Sequence, residues 1–188
     1  MDDGDTIKTP DKLKVPFVVT PPLARIEANN SQTLRIFYIG EHQLPGDKES
    51  VFWLNILDIP PKPSADDQTK QYVQLAARSR FKLFYRPSEL VGDAHDAPTK
   101  IQWRLIKQLG KNSLISYNPT PFYVSLNRVS LVRSDGRLIK VTPNMLAPHD
   151  TVTLSVDESI NVGSNVKIRY EAIGDLGEII KGEMPLIN

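Results

Sequence analysis

The sequence predicts an all-β protein built from two β-sandwich domains, and three observations favour that fold class. Apolar residues gather in runs of strand length, and no helical period continues over about 11 residues. The segments between the runs carry Gly, Pro, Asn and Asp, the residues that turns require, and the 15 prolines punctuate the runs rather than fill them. A polar, turn-rich break at residues 92–100, GDAHDAPTK, separates an earlier group of runs from a later one. Short strands with turn signals at intervals are typical of a sandwich.

The earlier group predicts four strands. Phe17–Thr20 (FVVT) and Thr33–Ile39 (TLRIFYI) are rich in β-branched and aromatic residues, which favour strands. Val51–Leu57 is apolar apart from a central asparagine, so we expect it to be buried on both faces and to end at the prolines that follow. Tyr72–Tyr85 is the fourth and longest strand.

Further runs with strand composition follow the break. They are WRLI at 103–106, SLISY at 113–117, PFYVSLNRVSLV at 121–132, RLIKV at 137–141, TVTLSV at 151–156 and NVKIRYEAI at 165–173. We therefore expect two domains, residues 1–88 and 89–188, joined near the break.

Composition excludes several classes of function. The 23 basic and 22 acidic side chains nearly balance, so no global field selects nucleic acid or an anionic membrane. The absence of cysteine excludes thiolate chemistry and cysteine-based zinc sites. No stretch approaches the roughly 18 apolar residues of a membrane span, so we expect no membrane insertion. The first residues, MDDGDTIKTPDK, are acidic and polar, the opposite of a secretory signal.

Signals for catalysis are weak. The histidines His42, His95 and His149 all fall in polar turn segments. His95 lies between Asp93 and Asp96, which could form a metal cluster, although a solvated linker explains the same residues. No G-x-S-x-G elbow or phosphate-binding glycine loop occurs. We therefore predict a protein that is not an enzyme, with no cofactor and no metal.

Four motifs occur in one order along the chain. The stretch LPGDKESVFWLNILDIP at 44–60 fits, at every constrained position, the pattern aliphatic-Pro-x-Asp-basic-Glu-Ser-aliphatic, then aromatic, Asn-aliphatic and aliphatic-Pro. VTPP at 19–22, KLFYRP at 82–87 and NPTPFY at 118–123 are the others. Together they resemble the periplasmic pilus chaperones, the PapD-like family, from about residue 15 to the C-terminus.

The resemblance implies a fold and a function. Members have two immunoglobulin-like domains and hold pilus (fimbrial) subunits that lack their final strand. They do so by donor-strand complementation, in which a chaperone strand adds to the subunit. They then deliver the subunit to an outer-membrane usher. We therefore expect a periplasmic chaperone of fimbrium biogenesis and cell wall organization, with pilus subunits and an usher as partners and no nucleic acid.

The resemblance also implies which residues bind the subunit. The donor strand is Tyr72–Tyr85, in which Val73, Leu75 and Ala77 repeat with period two, as residues that fill a groove must. The alternation alone indicates a half-buried strand, and without the resemblance it favours a strand that packs these residues in the domain's own core. Lys82 matches a family lysine that grips the subunit's terminal carboxylate, whereas most lysines are simply solvated. Because Lys82 is nine positions from Val73, the two face opposite sides unless a bulge or strong twist intervenes or the cleft lies on the opposite face.

A second set carried over from the family is structural. Glu49, Arg86 and Asp175 match residues that form a buried interdomain charge network. One arginine can serve two carboxylates because its guanidinium offers five donors in a fork.

The chain departs from the family near its start. The family's first domain has roughly three strands before the T-P-P segment, one of which carries a second basic cleft residue, an arginine. We expect these strands, that arginine and a signal peptide to be absent. We therefore expect the first domain to be incomplete at its N-terminus, with exposed core and open edges. A truncated reading frame, a misplaced start codon or a degraded gene would each account for this, and we expect such a truncated form to be impaired.

A second interpretation comes from another class of protein. Immunoglobulin-like sandwiches also occur as adhesion or cell-surface modules that bind ligands through loops. A chaperone requires a long solvent-facing apolar strand at 72–85, whereas an adhesion module buries that strand centrally.

Overall fold

The structure is a computed structural model that describes residues 15–40, 43–61, 73–108, 111–156 and 165–187. Two residues of the sequence predictions, His42 and Tyr72, lie outside these ranges. The strands of the described residues are β1 (Phe17–Thr20), β2 (Arg35–Tyr38), β3 (Ser50–Asp58), β4 (Ala77–Tyr85), β5 (Gln102–Gln108), β6 (Lys111–Tyr117), β7 (Val124–Val132), β8 (Leu138–Val141), β9 (Met145–Leu146), β10 (Thr151–Ser155), β11 (Lys167–Ile173) and β12 (Ile179–Pro185). A 3₁₀ turn spans Ala97–Lys100. The all-β prediction is confirmed.

The chain divides into two compact units. The first comprises Met1–Pro45 and Ser50–Tyr85, and the second comprises Gly46–Glu49 and Arg86–Asn188. Among the described residues, no helix is long and apolar enough to cross a membrane.

The first unit contains two antiparallel ribbons, β1–β2 and β3–β4. A cluster of aromatic rings joins them. The Phe17 ring on β1 lies 4.9 Å from Phe52 on β3, and the Tyr38 ring on β2 lies 5.0 Å from Tyr85 on β4. Tilted and edge-on aromatic pairs of this kind stabilise by about 0.5–1.5 kcal/mol beyond the area that they bury.

The expectation that Val51–Leu57 is buried on both faces is wrong for the second half of the run. Phe52 is 8% exposed, but Ile56 and Leu57 are 37% and 52% exposed. In the part of the chain that the structure describes, β3 is paired with β4 alone. Its far end therefore contacts solvent, because no further strand covers it there.

The second unit is a sandwich of two antiparallel sheets. One has the strand order β10-β6-β5, and the other has the order β12-β11-β7-β8, with β9 also paired to β7. Their inner faces form the core, in which the largest buried side chains are Trp103, Tyr170, Ile101, Leu114 and Leu131. The backbone amide of Ile187 donates to the carbonyl of Trp103 at 2.7 Å, which holds the end of the described chain against β5.

A bulge in β7 keeps both halves of that strand facing the core. Val124 and Leu126 are buried in the first half, and Val129 and Leu131 are buried in the second. The parity of the apolar positions therefore changes between Leu126 and Val129. The register with β11 skips one residue there, since Glu171 faces Arg128 and Ala172 faces Leu126. The extra residue absorbs the change of parity.

The break at residues 92–100 is more than a solvated linker. Ala97 is 0% exposed and Pro98 is buried, and both lie in the 3₁₀ turn. The turn covers one end of the second unit's core, so that part of the linker expectation is wrong.

Candidate functional site

Strand β4 carries Ala77 and Lys82, two of the four residues that the sequence assigns to subunit binding. It pairs with β3 in a continuous register from Ala77 opposite Asp58 to Tyr85 opposite Ser50. Because side chains alternate along a strand, Ala77 shares a face with Phe81 and Tyr85, and Lys82 lies on the opposite face. No bulge intervenes between Ala77 and Lys82.

On the face of the β3–β4 ribbon that carries Lys82, the Trp53 side chain contacts two cationic side chains. Trp53 on β3 is directly opposite Lys82, and Asn55 is directly opposite Arg80. The Arg80 guanidinium carbon lies 4.1 Å from the centroid of the Trp53 ring, and the Lys82 ammonium lies 5.7 Å from it. Both distances are within the range of attraction between a cation and an aromatic face. Burial lowers the pKa of Lys82 below the usual lysine value, because desolvation disfavours the charged form.

Val73 and Leu75 precede β4 and are open to solvent. Their exposures are 84% and 76%, so neither packs in a core of the described residues. The sequence predicts a strand that starts at Tyr72, whereas β4 begins at Ala77. The reason lies in the partner strand: β3 ends at Asp58, and the prolines that follow cannot donate to a ladder. Instead, the Gln74 side-chain amide donates to the carbonyl of Pro60 at 2.8 Å.

The structure brings Glu49, Arg86 and Asp175 together. The Arg86 Nε donates to Glu49 Oε1 at 2.6 Å, and its two terminal nitrogens donate to the Asp175 carboxylate at 2.8 and 3.1 Å. Glu49 is 3% exposed, and its second oxygen accepts from the backbone amide of Tyr123 at 2.7 Å. The Asp175 hydrogen bond is the main reason that the pKa of Arg86 is raised further above its usual value, with Glu49 adding to it. The expectation of a buried network is wrong for Asp175, whose side chain is 55% exposed, and all three residues fall in the second compact unit.

Backbone contacts hold the members of this network in place. The amide of Glu49 donates to the carbonyl of Pro121 at 2.9 Å, which fixes the short segment 46–49 to the connection between β6 and β7. Asp175 lies in the turn between β11 and β12, where Gly177 has φ +82 and its amide donates to the carbonyl of Gly174. A glycine takes that conformation without steric cost. The turn therefore presents Asp175 to Arg86 on a closed hairpin.

Asn118 is an organising residue whose role the sequence reasoning missed. It is 0% exposed, and its amide nitrogen donates to the carbonyls of Phe122 and Ala147 at 2.7 and 3.0 Å. Its side-chain oxygen accepts from the backbone amide and the hydroxyl of Thr120 at 3.0 and 2.7 Å. The signal was present in the NPT sequence, since Asn readily bonds to the backbone two residues on.

The metal cluster that the sequence suggested for His95, Asp93 and Asp96 is not found among the described residues. Within the described ranges, no group of three or more His, Cys, Asp or Glu side chains could hold a metal ion. His95 is exposed, and its backbone amide donates to the Asp93 carboxylate at 2.9 Å. His149 is also exposed.

Comparison with known families gives two adjacent matches. Residues 1–91 match the model described as pili and flagellar-assembly chaperone, PapD N-terminal domain. Residues 96–184 match the model described as pili assembly chaperone PapD, C-terminal domain.

Proteins and solved structures that are similar to this chain are described as fimbrial or pilus chaperones. The probable fimbrial chaperone YadV of Escherichia coli is 40% identical over 99% of this chain and 76% of its own length. The crystal structure of the YadV chaperone covers 95% of this chain and 81% of its own at a TM-score of 0.78. The chaperone protein FimB/FhaD of Bordetella pertussis is 42% identical over 95% of this chain and 71% of its own length. A structure of the Salmonella enterica SafA pilin in complex with the SafB chaperone is 28% identical, with a TM-score of 0.74, and covers 95% of this chain and 79% of the other.

Proposed function

Because this chain belongs to the family of PapD pili assembly chaperones, we propose that it binds and stabilises pilus subunits and delivers them to an outer-membrane usher in the periplasm. The resemblance to the PapD-like family and the two-domain fold class predicted from the sequence are confirmed by the family matches and the structural neighbours. The family is one of chaperones rather than enzymes. A relative solved with a pilin bound supports a pilus subunit as the partner.

The exposure of Val73 and Leu75 carries the proposal. Two apolar side chains at alternate positions, 84% and 76% exposed, lead directly into β4. Apolar side chains exposed at alternate positions are what strand addition requires, because alternate side chains of the added strand enter the partner's pockets. In our proposal Val73, Leu75 and Ala77 fill the groove of a subunit that lacks its last strand, while the backbone supplies the ladder.

Lys82 is the proposed anchor for the subunit's terminal carboxylate. It is held beside the Trp53 ring, where burial lowers its pKa. A carboxylate partner would recover the electrostatic cost of that burial. The anchor would also fix the register of the added strand, and a slip of one residue would turn every donor side chain away from the groove.

The network of Glu49, Arg86 and Asp175 serves a structural role in this proposal. It fastens the segment before β3 to the β11–β12 turn through hydrogen bonds of 2.6 to 3.1 Å.

We propose a domain boundary between residues 88 and 89. It is supported by the contact division after Tyr85 and by the family models, which leave residues 92–95 between them.

The adhesion module is less well supported. That function would bury the strand at 72–85 in the middle of a sheet, whereas β4 has β3 as its partner strand among the described residues and Val73 and Leu75 are exposed.

Co-purification with a pilus subunit from the same bacterium tests the proposal. Lys82→Ala should weaken capture by about 2–5 kcal/mol, the range for removing one partner of a buried interfacial charge pair. Leu75→Asp should abolish capture, because it places a carboxylate in an apolar groove. Lys140→Ala, an exposed change on β8 in the second unit, is the control and should capture normally. Normal capture by both Lys82→Ala and Leu75→Asp would sink the proposal.

A further inference from the structure

Strand β12 is an open edge of the larger sheet in the second unit. Its partner strand among the described residues is β11, and it comes first in the strand order β12-β11-β7-β8. The amide of Gly174 donates to the carbonyl of Glu178 at 2.9 Å, so this pair at the turn is hydrogen-bonded. Because hydrogen-bonded and non-hydrogen-bonded pairs alternate along an antiparallel ladder, the odd-numbered residues of β12 direct their backbone groups to the open edge.

This edge can pair with a second copy of itself over its full length. A two-fold axis at Gly182, the midpoint of Ile179–Pro185, places odd-numbered residues opposite each other, as a shared ladder requires. Lys181 of each copy then lies opposite Glu183 of the other. A shift of the axis by one residue would place two lysines or two glutamates opposite each other, which is destabilising. The charges of β12 therefore select the register that also forms the longest ladder.

Charges would alternate in sign across the paired edges. Within one copy, Glu171 on β11 lies opposite Arg128 on β7 and Lys181 on β12. Arg169 on β11 lies opposite Glu183. The row across the outer face then runs Arg128, Glu171 and Lys181 in one copy and Glu183 and Arg169 in the other. Both carboxylates and the lysine have an opposite charge on each side, and the ion pairs within each copy, at 3.9 and 3.1 Å, are kept.

The inner face of β12 adds an apolar complement. Ile180 and Met184 pack against the core and are half-buried. In the same register, Ile180 of one copy lies opposite Met184 of the other. Pairing would remove more of their apolar surface from water, which is favourable.

We propose that β12 pairs antiparallel with β12 of a second copy of this chain, about a two-fold axis at Gly182, and joins the two sheets into one. A seven-residue edge buries less surface than a standard stable interface, so the dimer is weak and depends on protein concentration. The inference goes beyond the proposed function, since β12 belongs to the second unit, whereas β4 and Lys82 belong to the first.

Sedimentation of the full chain tests this pairing. Between about 10 µM and about 1 mM, the chain should show a reversible monomer–dimer equilibrium. Lys181→Glu places glutamates opposite each other at both charge pairs and should weaken the dimer by about ten-fold or more. Lys140→Glu makes the same change of charge on β8, at the far side of the sheet, and should stay within about two-fold of the original chain. Circular dichroism checks that each variant is folded.

A mixture of opposite variants gives a sharper outcome. Lys181→Glu leaves two glutamates on each edge, and Glu183→Lys leaves two lysines, so each variant alone should dimerise poorly. Their equimolar mixture should restore a dimer that contains one chain of each kind, because every charge pair across the edge is then opposite in sign. A mixture of Lys140→Glu with Glu183→Lys has the same two net charges but one repulsive pair at the edge. It should give fewer mixed dimers, counted with an N-terminal label on the Glu183→Lys chain.

Cysteine cross-linking tests the register if Glu183→Lys, which lies near Lys167 and Arg169, does not fold. The chain has no cysteine, so Lys181→Cys and Glu183→Cys each introduce a single thiol. In the proposed register, the two thiol-bearing residues of a mixed pair have Cα atoms about 5.5 Å apart, within the range of a disulfide. Mild oxidation should therefore join the mixed pair in preference to two identical chains.

Three results would overturn this inference. They are a monomer throughout the concentration range, a dimer that Lys181→Glu leaves unchanged, and mixtures that show neither the restored dimer nor the preferred mixed disulfide. The proposed function would stand in each case, because its test is the capture of a subunit.

Discussion

At the residue scale, Asn118 shows how one buried side chain can hold two connections of the second unit together. Its amide group donates to two carbonyls and its oxygen accepts from Thr120, so both of its polar atoms are bonded at 0% exposure. The bonds connect the residues before β7 with the loop after β9. A buried amide with all of these bonds specifies one local geometry.

Asn118→Asp should destabilise the protein by about 1–3 kcal/mol, because it replaces the donor nitrogen with an oxygen that faces the carbonyls of Phe122 and Ala147. Asn144→Asp is a matched control: Asn144 is exposed, and its oxygen accepts from the amide of Met145, a bond that Asp retains. Urea unfolding followed by circular dichroism measures both variants. Equal midpoints for Asn118→Asp and Asn144→Asp would contradict the assigned role.

The residues of the candidate site were predictable to different degrees. Glu49 and Arg86 lie in sequence motifs, and the structure places them in hydrogen-bond contact with Asp175, which the family resemblance assigned to the same network. Lys82 also lies in a motif, and its role stays a prediction. Arg80 and Trp53 were not singled out, because nothing in the sequence says that residues 53 and 82 face each other. That pairing follows from the β3–β4 register, which is a tertiary property.

At the element scale, the strands with strong apolar alternation were predictable and the edge strand β12 was not. Its sequence, IIKGEMP, contains a glycine and a proline, which weaken a strand signal. The structure explains the glycine, since a Cβ at position 182 would overlap the ring and hydroxyl of the buried Tyr170. The proline is at the end of the edge strand, a position where its missing donor is tolerated.

Strands β3 and β7 show which structural features a local sequence pattern can predict and which it cannot. The change of apolar parity in VSLNRVSL was visible in the sequence and corresponds to the observed bulge. By contrast, the apolar run in β3 did not reveal that Ile56 and Leu57 are exposed. Burial depends on which neighbouring strands cover a residue, and a single run holds no information about them.

Gly182→Ala should lower stability by about 1–3 kcal/mol, the usual cost of overpacking a buried contact. The added methyl group must displace Tyr170, whose ring is 2% exposed and has little room to move. Lys181→Ala, at the neighbouring exposed position, should change stability by less than about 0.5 kcal/mol. Thermal unfolding of the two variants gives the comparison, and a melting temperature for Gly182→Ala equal to that of Lys181→Ala would refute the steric argument.

At the scale of the whole molecule, the two units differ in how much core each contains. Among the described residues, the buried apolar side chains belong to the second unit except for Pro16 and Phe52. The second unit includes two facing sheets and the 3₁₀ turn with the fully buried Ala97. A unit with its own core and its own hydrogen-bonded sheets has what independent folding requires.

Residues 86–188, which are this unit without its short segment 46–49, should therefore fold alone and unfold in one cooperative transition, as single domains of this size usually do. The shorter fragment 101–188 omits Ala97 and Pro98, which are buried against the same core, and leaves the side chains beneath them open to water. It should be less stable than 86–188 by roughly 1–3 kcal/mol, since the loss resembles the opening of a cavity at the core's edge. Urea unfolding followed in parallel by circular dichroism and tryptophan fluorescence distinguishes the outcomes, because Trp103 is the tryptophan in both fragments. Coincident transitions in 86–188 and a lower midpoint in 101–188 are expected. A broad transition in the longer fragment would contradict independent folding, and equal midpoints would show that the turn contributes nothing to the core.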